Sequence, residues 1–118
     1  MIEQLISKLF VTRNVAHLAH WKTTSYSQHM ALGDFYDSIV DLLDGIVESY
    51  QGNFGMIGDV ALNASPKQIE ILSHLKQELT WLENNREKIA NGSTSIQNQV
   101  DSLMQTYQTT IYKLTFLK

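Results

Sequence analysis

Histidines and carboxylates gather in the first half of the chain, at spacings that could support metal chemistry. Three of the four histidines, His17, His20 and His29, lie within thirteen positions, and Asp44 and Glu48 follow further along. A neutral imidazole offers one lone-pair nitrogen, and a carboxylate offers oxygen ligands. This mixture of donors suits iron, manganese or zinc better than the all-oxygen sites that calcium and magnesium prefer.

The same residues also have an ordinary structural interpretation. A histidine that faces the protein interior needs a hydrogen-bond partner, because an unsatisfied buried polar group costs about 1–3 kcal/mol, and a neighbouring side chain can supply one. The acids recur at spacings of 3, 4, 3 and 4, which is typical of a solvated helix face: Asp34, Asp37, Asp41, Asp44 and Glu48. Two hypotheses therefore stay open, a metal site and a helix pair without one.

Composition limits the class of protein. The chain has 118 residues, 43% of them hydrophobic and 18% charged, and a net charge of −3, which indicates one globular domain spanning 1–118. Its nine basic residues are scattered, so no nucleic-acid partner is expected. No apolar run approaches the roughly 18 residues of a membrane span. Because Glu3 and Lys8 make the first ten residues unlike a signal peptide, we expect a cytoplasmic protein.

Apolar spacing of three and four residues, with a single proline, predicts an all-α fold of four helices. The first two are predicted over 2–23 and 27–51. Ser65 as N-cap, Pro66 in the first turn and Gln68 predict the start of the third helix, which ends at Asn91-Gly92. The spacing of Thr94 and Gln97 predicts a capping box for the last helix.

The lengths of the links predict how the helices connect. The first and third links are only a few residues long, so each joins antiparallel neighbours. The link over 52–64 could stretch to about 43–47 Å at ~3.3–3.6 Å per residue, whereas helix 2 is about 36 Å long at ~1.5 Å per residue. The link can therefore cross the whole bundle and leave helices 2 and 3 parallel, which is the ferritin-type connection.

The first helix is predicted to be apolar on two sides. Its inward stripe begins with Ile2, Leu5, Ile6 and Leu9. The stripe continues with Ala16 and with the polar residues Arg13, His17 and His20. On the far side a second apolar patch contains Val11, Val15 and Leu18. A helix with two apolar sides packs against two partners. The first is the rest of the bundle, and we expect the second to be another subunit, in a homodimer or larger homo-oligomer.

The run from His20-Trp21 through His29 to Asp44-x-x-x-Glu48 resembles the metal-binding segment of the Dps proteins, the miniferritins. That resemblance implies a ferritin-like fold and a di-iron ferroxidase site between two subunits, with histidines from one and carboxylates from the other. Carried over, the ligands would be His20, His29, Asp44 and Glu48, and His17 and Asp37 are further candidates. Iron is the implied cofactor, with manganese or zinc as alternatives.

Residues 13 to 52 are also similar to small phage-encoded ferritin-like proteins of uncharacterised function, through "FYDSIVD" and "ESYQG". Two features depart from the Dps pattern: the connector between His20 and His29 is three residues shorter, and Gly33 stands where an Asp belongs. The alternative hypothesis is therefore a non-enzymatic helical bundle that binds another protein and carries a degenerate metal site.

Overall fold

Four helices account for most of the chain, and their order confirms the predicted all-α four-helix bundle. The computed structural model describes residues 1–64 and 69–118, and these contain no strand. The helices are α1 (Ile2–Lys22), α2 (Tyr26–Phe54), α3 (Ile71–Ile89) and α4 (Thr94–Phe116). The second helix continues three residues past its predicted end at Gln51.

Local capping chemistry sets most helix ends. The side chain of Ser25 accepts a hydrogen bond from the backbone N–H of Gln28 at the start of α2. Ser93 does the same for Ile96 at the start of α4, so the predicted cap at Thr94 is wrong by one residue. After α3 the chain turns through Asn91 and Gly92, whose φ angles of 49° and 80° are those of a left-handed turn. The predicted stop at this pair is confirmed.

The start of α3 differs from the prediction. The helix begins at Ile71, and its cap is Glu70, whose carboxylate accepts hydrogen bonds from the backbone N–H groups of Leu72 and Ser73. Ile69, predicted to be helical, precedes this cap. The predicted cap and first turn at Ser65, Pro66 and Gln68 lie outside the described residues. A carboxylate at the positive end of the helix dipole is a stabilising cap.

Each helix packs against two neighbours, in the order α1, α2, α4, α3 around the bundle. Within the part of the chain that the structure describes, α1 does not contact α4 and α2 does not contact α3. Phe35 of α2 meets Tyr107 of α4 edge to face, and Thr12 of α1 is hydrogen bonded to Glu78 of α3. Further along, Gly45 of α2 is hydrogen bonded to Gln99 of α4, and Lys8 of α1 lies over Trp81 of α3, so both pairs are antiparallel. The diagonal helices α2 and α3 therefore run parallel. The predicted long crossover is confirmed.

The crossover, which links α2 to α3, runs along the outer side of α1. The Gly58 N–H donates to the Glu3 carboxylate at 2.9 Å, and the Ser7 hydroxyl donates to the Ala61 carbonyl at 2.7 Å. Asn63 in turn donates to the Ser7 oxygen at 3.1 Å. The segment therefore lies against the first two turns of α1, and it ends beside the second apolar patch, where Asn63 and Ala64 line a groove together with Val11, Val15 and Leu18.

The core is one apolar cluster shared by all four helices, and Leu5, Leu82, Ile46 and Tyr107 are fully buried within it. On α1 the inward stripe continues through Thr12 and Ala16, both 0% exposed. The prediction that Arg13 and His17 continue that stripe is wrong, because both are half-buried at the border with α2. None of the four helices is long and apolar enough to cross a membrane, as judged over the described residues.

Candidate functional site

The end of α1 and the beginning of α2 hold two histidines in mutual contact. Only three residues separate these helices, so His20 and His29 lie side by side across the turn. Nδ1 of His20 lies 2.5 Å from the carbonyl oxygen of His29, and Nδ1 of His29 lies 2.8 Å from that of His20. Their rings stack with centroids 3.6 Å apart and planes 19° from parallel. We call this arrangement the histidine clasp.

The clasp fixes the tautomer of both rings. A carbonyl oxygen can only accept a hydrogen bond, so Nδ1 of each ring carries the proton. In a neutral imidazole the lone pair then belongs to Nε2. Metal-binding histidines are commonly oriented in this way, through a hydrogen bond from the other ring nitrogen to a backbone carbonyl. The clasp therefore presents two oriented nitrogen donors.

Gly33 makes room for the clasp. A Cβ atom at this position would lie 3.1 Å from Cε1 and 3.3 Å from Nδ1 of His20. Any larger side chain, including the Asp of the Dps pattern, would press on the ring and its hydrogen bond to the carbonyl of His29. The glycine thus has a packing role next to His20, and its presence does not require the loss of an ancestral ligand.

His17 has a different environment from the clasp. Its ring lies between Trp21 and Tyr36, at centroid distances of 4.1 and 4.3 Å. Arg13 Nη1 donates to His17 Nδ1 at 3.0 Å, because a guanidinium can only donate. Burial lowers the pKa of His17, as do the charges of Arg13 and His20, against a smaller opposing effect of Asp37. The Nδ1 lone pair of His17 is therefore already engaged.

Of the predicted carboxylate ligands, Asp44 and Glu48 lie far from the clasp within one chain, whereas Asp37 is close enough to His17 to raise its pKa. Asp37, Asp44 and Glu48 are exposed on the outer side of α2. Fifteen residues separate His29 from Asp44, which is about 22 Å at ~1.5 Å per residue of helix. Two ligands of one ion lie no more than about 4.5 Å apart. No group of three His, Cys, Asp or Glu side chains in the described residues could hold a metal ion.

Asp44 borders a shallow depression between α1 and α2. This depression has a volume of about 140 Å³ and includes Phe10, Arg13 and Val40. Phe10 and Val40 are 45% and 43% exposed, so the outer face of the α1–α2 pair is partly apolar. Because the basic Arg13 and the acidic Asp44 line the same depression, this face carries both charges.

A buried polar network was not foreseen from the sequence. Glu78 is 6% exposed, and its Oε1 accepts hydrogen bonds from the Thr12 hydroxyl at 2.6 Å and the Tyr107 hydroxyl at 2.5 Å. Burial and the Glu78 charge raise the pKa of Tyr107 well above its usual value, so its proton is retained. Because the Thr12 hydroxyl donates its only proton to Glu78, its oxygen accepts a hydrogen bond from His74 Nε2 at 2.7 Å. His74 is therefore joined to Thr12 and Glu78.

Sequence signals for this network existed. Glu78 lies between Leu75 and Leu82 on the apolar stripe of α3, where a carboxylate must find donors. Thr12 is placed at the next inward position of α1 after Leu9. Tyr107 is fully buried in the core. The network ties α1, α3 and α4 together and lies apart from the clasp.

Comparisons with known proteins give a family but no activity. The model of a family described as "Family of unknown function (DUF5856)" matches residues 20–114 of this chain. The matched region begins at His20 and so includes both clasp histidines, Asp44 and Glu48. No curated protein and no solved structure matches.

Proposed function

We propose that this chain, which belongs to that family of unknown function, binds a transition-metal ion where two copies of the chain meet. His20 and His29 of one copy would supply nitrogen ligands, and Asp44 and Glu48 of the other would supply oxygen ligands. This donor set fits iron, manganese or zinc. His17 is left out of the ligand set because Arg13 engages its Nδ1.

The observation that carries the proposal is the histidine clasp. Its two Nδ1–H groups are held by backbone carbonyls, so both Nε2 lone pairs are oriented without any side-chain partner having to move. Two nitrogen donors seldom complete a coordination sphere, and protein sites for these metals usually have at least three protein ligands. The remaining ligands would have to come from elsewhere.

A second copy is the natural source of those ligands. The imidazoles lie at one end of the α1–α2 pair, and Asp44 and Glu48 lie toward the other end. In a two-fold pairing of antiparallel copies, the histidine end of each copy faces the acidic end of its partner. The cation would also relieve the repulsion between Asp44 and Glu48, which stand at i and i+4.

The activity that follows depends on the metal. With iron, the expected reaction is oxidation of Fe²⁺ by oxygen or peroxide, as the Dps resemblance implies. The contribution of this chain would be to hold the ion between oriented nitrogens and carboxylates. The clasp keeps each proton on Nδ1, hydrogen bonded to a backbone carbonyl, so Nε2 is the nitrogen that would bind the ion.

The test is metal content and affinity of untagged protein. We expect stoichiometric binding of iron, manganese or zinc, lost in His20→Ala and in Asp44→Asn. Asp41→Asn is the matched control, because Asp41 is an exposed acid on the same helix and should bind metal as the wild type does. Equal binding by the Asp44 and Asp41 variants would overturn the assignment.

A second candidate function is a helical bundle that binds another protein without metal. The favouring observation is that the clasp satisfies its own histidines, while Trp21 and Tyr26 beside it are 66% and 77% exposed. Large exposed aromatic side chains are typical of protein interfaces. If metal addition leaves the melting temperature unchanged, this candidate is favoured, because a ligand of the native state must raise its stability.

A further inference from the structure

An apolar groove lies beside the α1–α2 turn. It has a volume of about 470 Å³ and is lined by residues of α1, the first two turns of α2, the end of the crossover, and Ile69 and Ile71. The described residues that form its apolar walls include Val11, Val15, Leu18, Leu32 and Ile71. Leu18 is 50% exposed there. Its size is within the range of small-molecule sites, about 300–1,000 Å³.

The charge of the groove is at one end, although two further polar residues, Asn14 and Asn63, also line it. Lys22 is the one charged side chain among the described residues that line it, and Thr23 and Gln28 stand beside it at the α1–α2 turn. The Gln28 amide oxygen accepts the Thr23 hydroxyl at 3.0 Å, so the amide NH₂ group is the half that remains to donate. This end of the groove therefore offers a cation and an N–H donor, and no described lining residue is acidic.

We infer that this groove binds an aliphatic carboxylate, with its head at Lys22 and Gln28 and its tail along α1. The charge argument selects the head, because an anion complements Lys22 and meets no carboxylate. The apolar argument selects the tail, because Val15, Leu18 and Leu32 offer only hydrocarbon.

The groove is also long enough for such a ligand. Lys22 and Val11 line it eleven residues apart on α1, which is about 16 Å at ~1.5 Å per residue. A straight chain of medium length fits that distance, and each buried methylene should strengthen binding about fourfold. Affinity should therefore rise with chain length until the tail outgrows the groove.

The test is calorimetric titration of the full chain with decanoate, and with decanol as the uncharged probe. Wild-type protein should bind decanoate saturably and more tightly than decanol. In Lys22→Met, which keeps the apolar stem, decanoate affinity should fall roughly fivefold, the effect of one partly exposed ion pair, and decanol affinity should not change. Leu18→Gln should weaken both probes.

The matched control is Lys76→Met, because Lys76 is exposed on α3 and does not line the groove. This variant should bind decanoate as the wild type does. Absence of saturable decanoate binding would overturn the inference, as would equal losses in the Lys22 and Lys76 variants. So would a wild-type dimer that Leu18→Gln dissociates, because a second copy would then be the occupant. Neither probe involves metal, so the result is independent of the proposed metal site.

Discussion

The role proposed for His20 and His29 depends on hydrogen bonds from their Nδ1 atoms to backbone carbonyls, and no sequence pattern predicts these bonds. Their separation of nine residues and the three-residue turn could be read from the sequence, and both predict proximity. The tautomer of each ring could not be read from the sequence, because it depends on the atom that Nδ1 contacts. In the structure, each Nδ1 is hydrogen bonded to the backbone carbonyl of the other histidine. Gly33 had looked like a missing ligand, whereas the structure gives it a steric reason.

The Gly33 explanation can be tested by adding one methyl group. Replacing a glycine within a helix by alanine normally stabilises by about 1 kcal/mol. At Gly33 the new Cβ would lie 3.1 Å from His20, so the gain in Gly33→Ala should be cancelled or reversed. Thermal unfolding measures the difference.

Gly45 supplies the control within the same helix. A Cβ there would lie 3.6 Å from Gln99, an ordinary contact, so Gly45→Ala should raise the melting temperature. Adding His20→Ala should restore the missing gain to Gly33→Ala, since the two residues are coupled. If Gly33→Ala and Gly45→Ala stabilise equally in the wild-type background, the steric account is wrong.

At the scale of elements, the features set by short-range chemistry were predictable. The stop at Asn91-Gly92 and the crossover follow from turn chemistry and from link length. The start of α3 was not predicted, because the Ser65-Pro66 signal is strong in sequence, yet Glu70 caps the helix that the structure describes. Two cap signals five residues apart compete, and local pattern alone does not rank them.

The Glu70 cap should make α3 sensitive to acid. Hydrogen bonds from Ser73, side chain first and then backbone, and from the Leu72 N–H lower the pKa of Glu70 below 4.5. A carboxyl whose pKa is lowered by folding stabilises the native state at neutral pH, and that stabilisation is lost as pH falls through the folded pKa. Glu70→Ala should therefore cost about 1 kcal/mol near neutral pH, and less in acid.

Urea unfolding at several pH values measures this effect. Glu70→Gln keeps an acceptor oxygen but cannot ionise, so the advantage of the wild type over this variant should shrink as the pH falls. An advantage that stays constant from neutral pH into acid would show that the Glu70 charge has no part in the cap.

The buried network gives a second prediction at this scale. Glu78→Leu leaves the Thr12 and Tyr107 hydroxyls without their acceptor and should be strongly destabilising, by about 1–3 kcal/mol for each unsatisfied group. Tyr107→Phe removes one of these hydroxyls. Combined with Glu78→Leu, it should cost less than the sum of the two single changes.

The free energies of unfolding of the wild type, the two single variants and the double variant form a double-mutant cycle, and denaturant unfolding measures all four. A coupling energy of about 0.5–3 kcal/mol is expected for residues in direct contact. Additive losses would mean that the 2.5 Å contact between Tyr107 and Glu78 contributes no coupling. His74→Phe should cost less than Glu78→Leu, because His74 is hydrogen bonded to Thr12 at 2.7 Å but reaches Glu78 Oε2 only at 3.5 Å.

At the scale of the whole molecule, the bundle separates its chemistry between two ends. The clasp lies where α1 ends and α2 begins, and Asp44 and Glu48 lie in the second half of α2. The sequence predicted which residues carry donors, and the Dps resemblance predicted that they meet between subunits. About 22 Å of helix separates the two sets within one chain, so a shared ion requires two copies.

The most direct test mixes two inactive variants. One carries His20→Ala and His29→Ala, and the other carries Asp44→Asn and Glu48→Asn. In a mixed dimer, the intact histidines of one copy face the intact carboxylates of the other, so one of the two symmetric sites is restored. Random pairing of equal amounts makes half the dimers mixed, so metal binding should recover to about a quarter of the wild-type level.

Metal bound per chain after mixing is the quantity to measure, alongside each variant alone. We predict that neither variant alone binds metal stoichiometrically and that the mixture recovers about a quarter of wild-type binding. If the mixture binds no more than its separate components while wild-type protein binds fully, the histidines and carboxylates do not share an ion across two copies, and the proposed site is wrong.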